Sequence, residues 1–175
     1  MNAKYQRTVL ALSLVSFFAV IFARVVLSPL VPIIAREFDI TTGAIGVALT
    51  GMWLMYAVSQ FPSGVLSDRF GERRVIIAAL SFTVLGSLLL ALAPSFRLFV
   101  VFAVILGAGS GLYYSVATTL LTKLFENTGR ALGVHDIGTP AAGLTAPIVA
   151  SYLGTQYGWR SAVLSAAVVA FVALV

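Results

Sequence analysis

Few side chains in this sequence are equipped for chemistry: there are eleven Lys and Arg, six Asp and Glu, one His and no Cys in 175 residues. Five of the charges crowd into Gly64-Val65-Leu66-Ser67-Asp68-Arg69-Phe70-Gly71-Glu72-Arg73-Arg74. Gly64 lets a neighbouring backbone approach, Gly71 permits a tight turn, and Asp68 can face the positive N-terminal end of another helix. The combination makes a clamp. A simple positive tether would account for the arginines but not for the glycines, Asp68 or the spacing.

Arg24, His135 and Asp136 interrupt otherwise uncharged runs. An arginine at the centre of a membrane span costs roughly 2.5 kcal/mol or more, so Arg24 needs water or a partner. Failing those, it snorkels to the outer interface. His135 and Asp136 are adjacent, hence about 100° apart on a helix, and cannot both face one narrow cavity. Asp136 is a proton-binding carboxylate or gate residue, or else a hydrogen-bonded structural group. No nucleophile–base arrangement and no second His, Cys or carboxylate at metal spacing accompanies them, so no enzyme activity, cofactor or metal is expected.

The elements that must position these residues follow from composition. With 60% hydrophobic residues, 10% charged and a mean hydropathy of +1.04, lipid is the solvent for most of the chain. Six apolar runs emerge, about Thr8–Ile34, Ile40–Gly64, Val75–Ala93, Leu98–Thr122, Ala131–Leu153 and Ser161–Val175, the last short by several residues. They are set against the roughly 20 residues that a spanning helix needs. Asp39-Ile40-Thr41-Thr42, Pro94-Ser95 and Asn127-Thr128-Gly129 supply caps and turns between them. None shows the period-two alternation of a barrel strand, which leaves an all-α membrane protein. Lys4 and Arg7 before an apolar stretch also fit a signal peptide, but the run continues past Val25 and lacks a clear cleavage site.

Orientation follows from where the cations fall. An N-terminus in the cytoplasm puts Lys4, Arg7, Arg69, Arg73, Arg74, Lys123 and Arg130 inside, against Arg36, Arg97 and Arg160 outside, in a cytoplasmic membrane. The net charge of +5 then reflects topology and contact with the headgroups of the lipid bilayer; no basic, aromatic-interleaved patch points to nucleic acid.

Gly64, Leu66, Asp68, Arg69, Gly71 and Arg73 resemble the signature loop of the major facilitator superfamily, between the second and third spans. Ser28-Pro29-Leu30-Val31-Pro32 and Tyr157-Gly158-Trp159-Arg160 are similar to other segments common in that family. The resemblance covers the whole chain. It implies the N-terminal six-helix half, residues 1–175, of a twelve-span transporter, folded as a 3+3 inverted repeat with its C-terminal half absent. It also implies that the loop latches the two halves on the cytoplasmic side, and that Arg24, facing a central cavity lined by the first and fourth spans, resembles an anion-binding residue of the N-terminal half. Glu72 stands where a basic residue is frequent, and Glu126 is a possible partner for Arg69 or Arg73. No clear internal sequence repeat relates the first three spans to the last three.

In the fourth span, Gly107 and Gly111 have the small-xxx-small spacing of close helix packing. Ala103 occupies the place of the arginine found in many proton-coupled drug exporters of the family, which argues against transferring their proton relay. In the fifth, Gly133, Ala142, Ala146-Pro147 and Ala150-Ser151 keep the spacing of the family's antiporter signature with most glycines replaced. Pro140 and Pro147 predict a bent, close-packed helix at the gate. Tyr113 and Tyr114, with Trp53, Tyr56 and Gln60, are candidate cavity contacts or packing and interface anchors. The resemblance thus implies a secondary active transporter that moves a small-molecule substrate by alternating access, coupled to protons or another ion, with antiport or export among the options. An uncoupled facilitator, an anion exchanger and a non-transporting receptor of the same fold remain alternatives.

Overall fold

The computed structural model describes residues 3–175, which form helices and short connections without strands. The first span is α1 (Ala3–Val25), a 3-10 turn (Ser28–Leu30) and α2 (Val31–Glu37), with α1 ending where Pro29 lacks the N–H that would bond the Val25 carbonyl. The second is α3 (Thr42–Phe70), started by Thr41, whose Oγ1 accepts from the Ala44 N–H at 3.2 Å. The third is α4 (Glu72–Ala91). The fourth is broken at Leu112 and Tyr113 into α5 (Phe96–Gly111) and α6 (Tyr114–Leu124), an interruption the apolar pattern does not announce. The fifth consists of α7 (Thr128–Asp136) and α8 (Gly138–Tyr157), started by Asn127, whose Oδ1 accepts from the Arg130 N–H at 3.1 Å. The sixth is α9 (Trp159–Leu174).

Four of these segments, 4–37, 42–70, 72–91 and 96–124, are long and apolar enough to cross a membrane, and α9 is a shorter apolar helix. The segment 128–157 is richer in Gly, Thr and Pro and does not reach that standard among the described residues. The first span extends to Glu37, three residues beyond the expected Ile34, because the turn after Val25 bends the helix rather than ending it.

The spans interlock rather than lie side by side in chain order. The first packs on the fifth and sixth, and the fourth packs on the second and third, so exchanging spans one, two and three for four, five and six reproduces the pattern. Close approach depends on small residues. A Cβ on Gly107 would run into the Met52 backbone, and one on Gly111 into the Tyr56 carbonyl, so this pair seats α5 on α3. Gly109 does the same against Phe82 and Thr83 of α4. The other interface repeats this four-residue spacing over a longer stretch: Gly138, Ala142, Ala146, Ala150 and Gly154 are buried along α8, which packs on α1.

Candidate functional site

The two interfaces leave one polar strip running across the first, second, fourth and fifth spans. Arg24, in the last turn of α1, is 1% exposed. Its Nε donates to the Val20 carbonyl at 3.4 Å, and its guanidinium carbon sits 3.8 Å from the Tyr56 ring centre and 4.6 Å from that of Trp53. Both Nη atoms are buried without a hydrogen-bond partner. Aromatic faces compensate a desolvated guanidinium by about 2 kcal/mol, but they do not use the directed N–H groups. Trp53 is exposed and Tyr56 half-buried, so the cation lies directly beneath an open aromatic surface.

Tyr56 leads to the next group. Tyr114, half-buried at the start of α6, lies within electrostatic reach of both Tyr56 and Asp136. Asp136 ends α7 with its side chain about half exposed, and its Oδ1 lies 2.9 Å from Nδ1 of His135, which is wholly buried. The two neighbours thus differ in exposure, His135 turned to the core and Asp136 to the surface, although their side chains touch. The His135 ring stacks on Phe17 with centres 4.3 Å apart, and its Nε2 is buried with no partner. Helix α7 stops here because Pro140 has no N–H to offer the Asp136 carbonyl.

The structure separates the two adjacent tyrosines. Tyr113 is buried, stacks with Phe17 and donates its hydroxyl hydrogen to the Ser13 carbonyl at 2.7 Å, so it ties the broken fourth span to the first from inside the core. Tyr114 alone reaches the strip. Pro147 lies within α8, whereas Pro140 marks its first turn beside the α7–α8 break.

The charged loop occupies the end of the bundle where α1 begins. Gly71 turns the chain from α3 into α4 with φ 86° and ψ 148°, a conformation that favours glycine. Gly64, Asp68, Arg69, Arg73 and Arg74 are exposed; the Arg69 guanidinium carbon sits 5.3 Å from the Phe70 ring centre, and a Cβ on Gly64 would meet nothing. The ion pair here joins Glu72 to Lys123 at 2.6 Å, and neither Arg69 nor Arg73 pairs with Glu126. Glu72, the departure from the usual basic residue, redirects the local pairing to the end of the fourth span.

A matching corner lies at the opposite end. Gly158 joins α8 to α9 with φ 85° and ψ 158°, and Tyr157-Gly158-Trp159-Arg160 repeats the arrangement of Phe70-Gly71-Glu72-Arg73. Trp159 Nε1 donates to Glu37 Oε2 at 2.5 Å, Arg160 pairs with the same carboxylate, and Arg160 Nη2 donates to the Ala93 carbonyl at 3.0 Å. The 3+3 repeat expected of the fold is thus present in the structure, and its sequence trace at these corners is confined to an aromatic residue, glycine and arginine.

Two interlocked groups of three spans, with broken helices and a polar strip of which only Arg24 and His135 are fully buried, define a helical membrane protein. Residues 13–175 match the Major Facilitator Superfamily, and the chain belongs to that family of transporters, not to an enzyme family. Among its relatives, Multidrug resistance protein D of Escherichia coli (strain K12) is 32% identical over 90% of this chain and 41% of its own length. A probable nitrate transporter, NarT, of Staphylococcus epidermidis is 31% identical over 92% of this chain and 43% of its own. The proton:xylose symporter XylE shares the fold with a TM-score of 0.89 at 16% identity, over 99% of this chain and 44% of that one. The chain thus spans about two fifths of the length of these relatives.

Proposed function

We propose that residues 1–175 are the N-terminal half of a secondary active transporter that moves a small solute bearing an anionic group by alternating access, driven by protons. The observation that carries this reading is Arg24, a buried guanidinium with two unpartnered Nη atoms under the open faces of Trp53 and Tyr56. A carboxylate, sulfonate or nitrate group accepts from both Nη atoms at once, which a planar fork is shaped to provide. The strip lies on spans one, two, four and five, the surface left for a second six-span half to complete a cavity. With the N-terminus in the cytoplasm, the Gly64–Arg73 loop is the inner latch: Asp68 and the arginines face outward from this half, available to helix ends of the other. Pro140 and Pro147, with Gly107 and Gly111, provide the bends and close contacts of the moving spans.

The test is uptake of nitrate, sulfoacetate and a lipophilic cation into vesicles containing the complete transporter or its Arg24 variants at equal abundance. Anion uptake in the wild type, lost by more than about tenfold in Arg24→Ala and partly kept in Arg24→Lys, is expected, because one charge-assisted hydrogen bond is worth about 1.5–3 kcal/mol. The exposed aromatic pair favours a second reading, a hydrophobic solute held against Trp53 and Tyr56. Cation uptake with full activity in Arg24→Ala would establish it instead.

A further inference from the structure

Resting on the anion reading of Arg24, we infer that Trp53 selects solutes whose anionic group is bonded directly to a flat ring, an aryl carboxylate or aryl sulfonate. Arg24 has no ion pair among the described residues, where the acid–base contacts join Glu72 to Lys123, Asp136 to His135 and Glu37 to Arg160. Its Nε returns to the Val20 carbonyl of its own helix, so both outer nitrogens keep their N–H groups for another acceptor. What closes over them is aromatic.

Two rings bound the guanidinium, and they differ. Tyr56 lies against it, with 3.8 Å from ring centre to guanidinium carbon, and is half-buried; Trp53 stands 4.6 Å away and is 46% exposed. The two rings meet at 83° with centres 5.8 Å apart, so they form a corner that holds the cation. On α3 the neighbours of Trp53 one turn to either side are Thr50 and Ala57, both small and exposed, which leaves the outer flank of the indole uncrowded. The indole can swing aside while Tyr56 stays on the cation. Trp53 is therefore the removable wall.

Both Nη atoms are buried, so an oxyanion reaches them by displacing the more exposed of the two walls. A bare anion then satisfies the N–H groups but takes the cation from the indole face and puts nothing back. A ring bonded to the anionic group restores that contact, because offset aromatic pairs accept centre separations of about 4.5–7 Å, which a ring one bond beyond a guanidinium-bound oxyanion can meet. A saturated ring of similar size covers the same area without a matching π face. Arg24 thus reads the oxyanion, and Trp53 reads what the oxyanion is attached to.

Equilibrium binding of tritiated benzenesulfonate to the complete transporter in lipid nanodiscs tests this, with cyclohexanesulfonate and methanesulfonate as competitors. All three stay ionised near neutral pH, so protonation of the ligand plays no part. Benzenesulfonate should bind about 2–13-fold more tightly than cyclohexanesulfonate, the weight of one aromatic pair beyond its buried area, and methanesulfonate more weakly than either. Trp53→Leu should bring the two ring sulfonates to equal affinity, and Trp53→Phe should keep part of the gap; Trp53 is exposed, so neither change disturbs the core. Equal or reversed affinities in the wild type, or an unchanged gap in Trp53→Leu, would overturn selection by Trp53 while binding still depended on Arg24. Binding that survives Arg24→Ala, or no sulfonate binding at all, would instead remove the anion reading and the inference with it.

Discussion

The Gly71 and Gly158 corners share a backbone conformation and a place in their three-span groups, yet they hold on by different means. At Gly158 the next residue is a wholly buried tryptophan, packed edge-on to Phe38 and Phe99 with centres 5.9 Å away in each case. Its indole and Arg160 converge on Glu37, and Arg160 also reaches the end of the third span. At Gly71 the corresponding residue is Glu72, which reaches Lys123 on the surface, while Asp68, Arg69, Arg73 and Arg74 stay exposed. One corner spends its side chains on its own six spans. The other leaves most of its charges exposed, and the latch proposal rests on this asymmetry as well as on the loop motif.

The difference can be tested from its strongest point downward. Trp159→Ala should be the most damaging change, at about 3–5 kcal/mol, seen as a large fall in the thermal midpoint of the solubilised protein. A small fall would show that the Gly158 corner is not the anchored one. Gly71→Ala and Gly158→Ala should each cost about 1–3 kcal/mol, because the strain lies in φ and an added Cβ meets nothing at either site. Unequal costs would break the equivalence of the two backbones. Glu37→Ala should remove about 1 kcal/mol after solvent screening of a half-exposed carboxylate, again read from the midpoint.

Asp68→Asn should have the smallest effect on stability, with the midpoint unchanged, but it should lower transport in the complete protein by up to about 30-fold, the weight of a partly buried charge at a helix end. Wild-type transport together with unchanged accessibility of engineered cysteines at the Gly71 end would remove the latch.

Much of this arrangement was legible because lipid imposes a one-dimensional signal. Long uncharged runs and their caps located the spans, and Thr41 and Asn127 cap the helices expected of them. The breaks were legible only where proline removes a donor, as at Pro29 and Pro140; the interruption at Leu112 has no such marker. The site itself was half-visible. Arg24 and Asp136 stood out as costly charges, but a sequence cannot show that Tyr56 and Tyr114 lie between them, because those contacts join different spans. Nor could residue type separate Tyr113 from Tyr114, since adjacent positions on a broken helix face different surroundings. The repeat leaves little sequence trace because equivalent corner positions carry different side chains, Glu72 in one and Trp159 in the other, so similar geometry is written in dissimilar letters.

The separation of those partners along the chain also gives the assembly a sequence in time. Glu72 can find Lys123 once the fourth span has been made, whereas Glu37 must wait for Trp159 and Arg160 at the start of the sixth. At the usual pace of synthesis, about 5–20 residues per second, the 37 residues from Lys123 to Arg160 take about 2–7 s. During that interval the first span has no indole or guanidinium to meet its terminal acid. Synthesis therefore supplies both partners at the Gly71 end before those at the Gly158 end, which makes the Gly158 seam the later of the two to become possible.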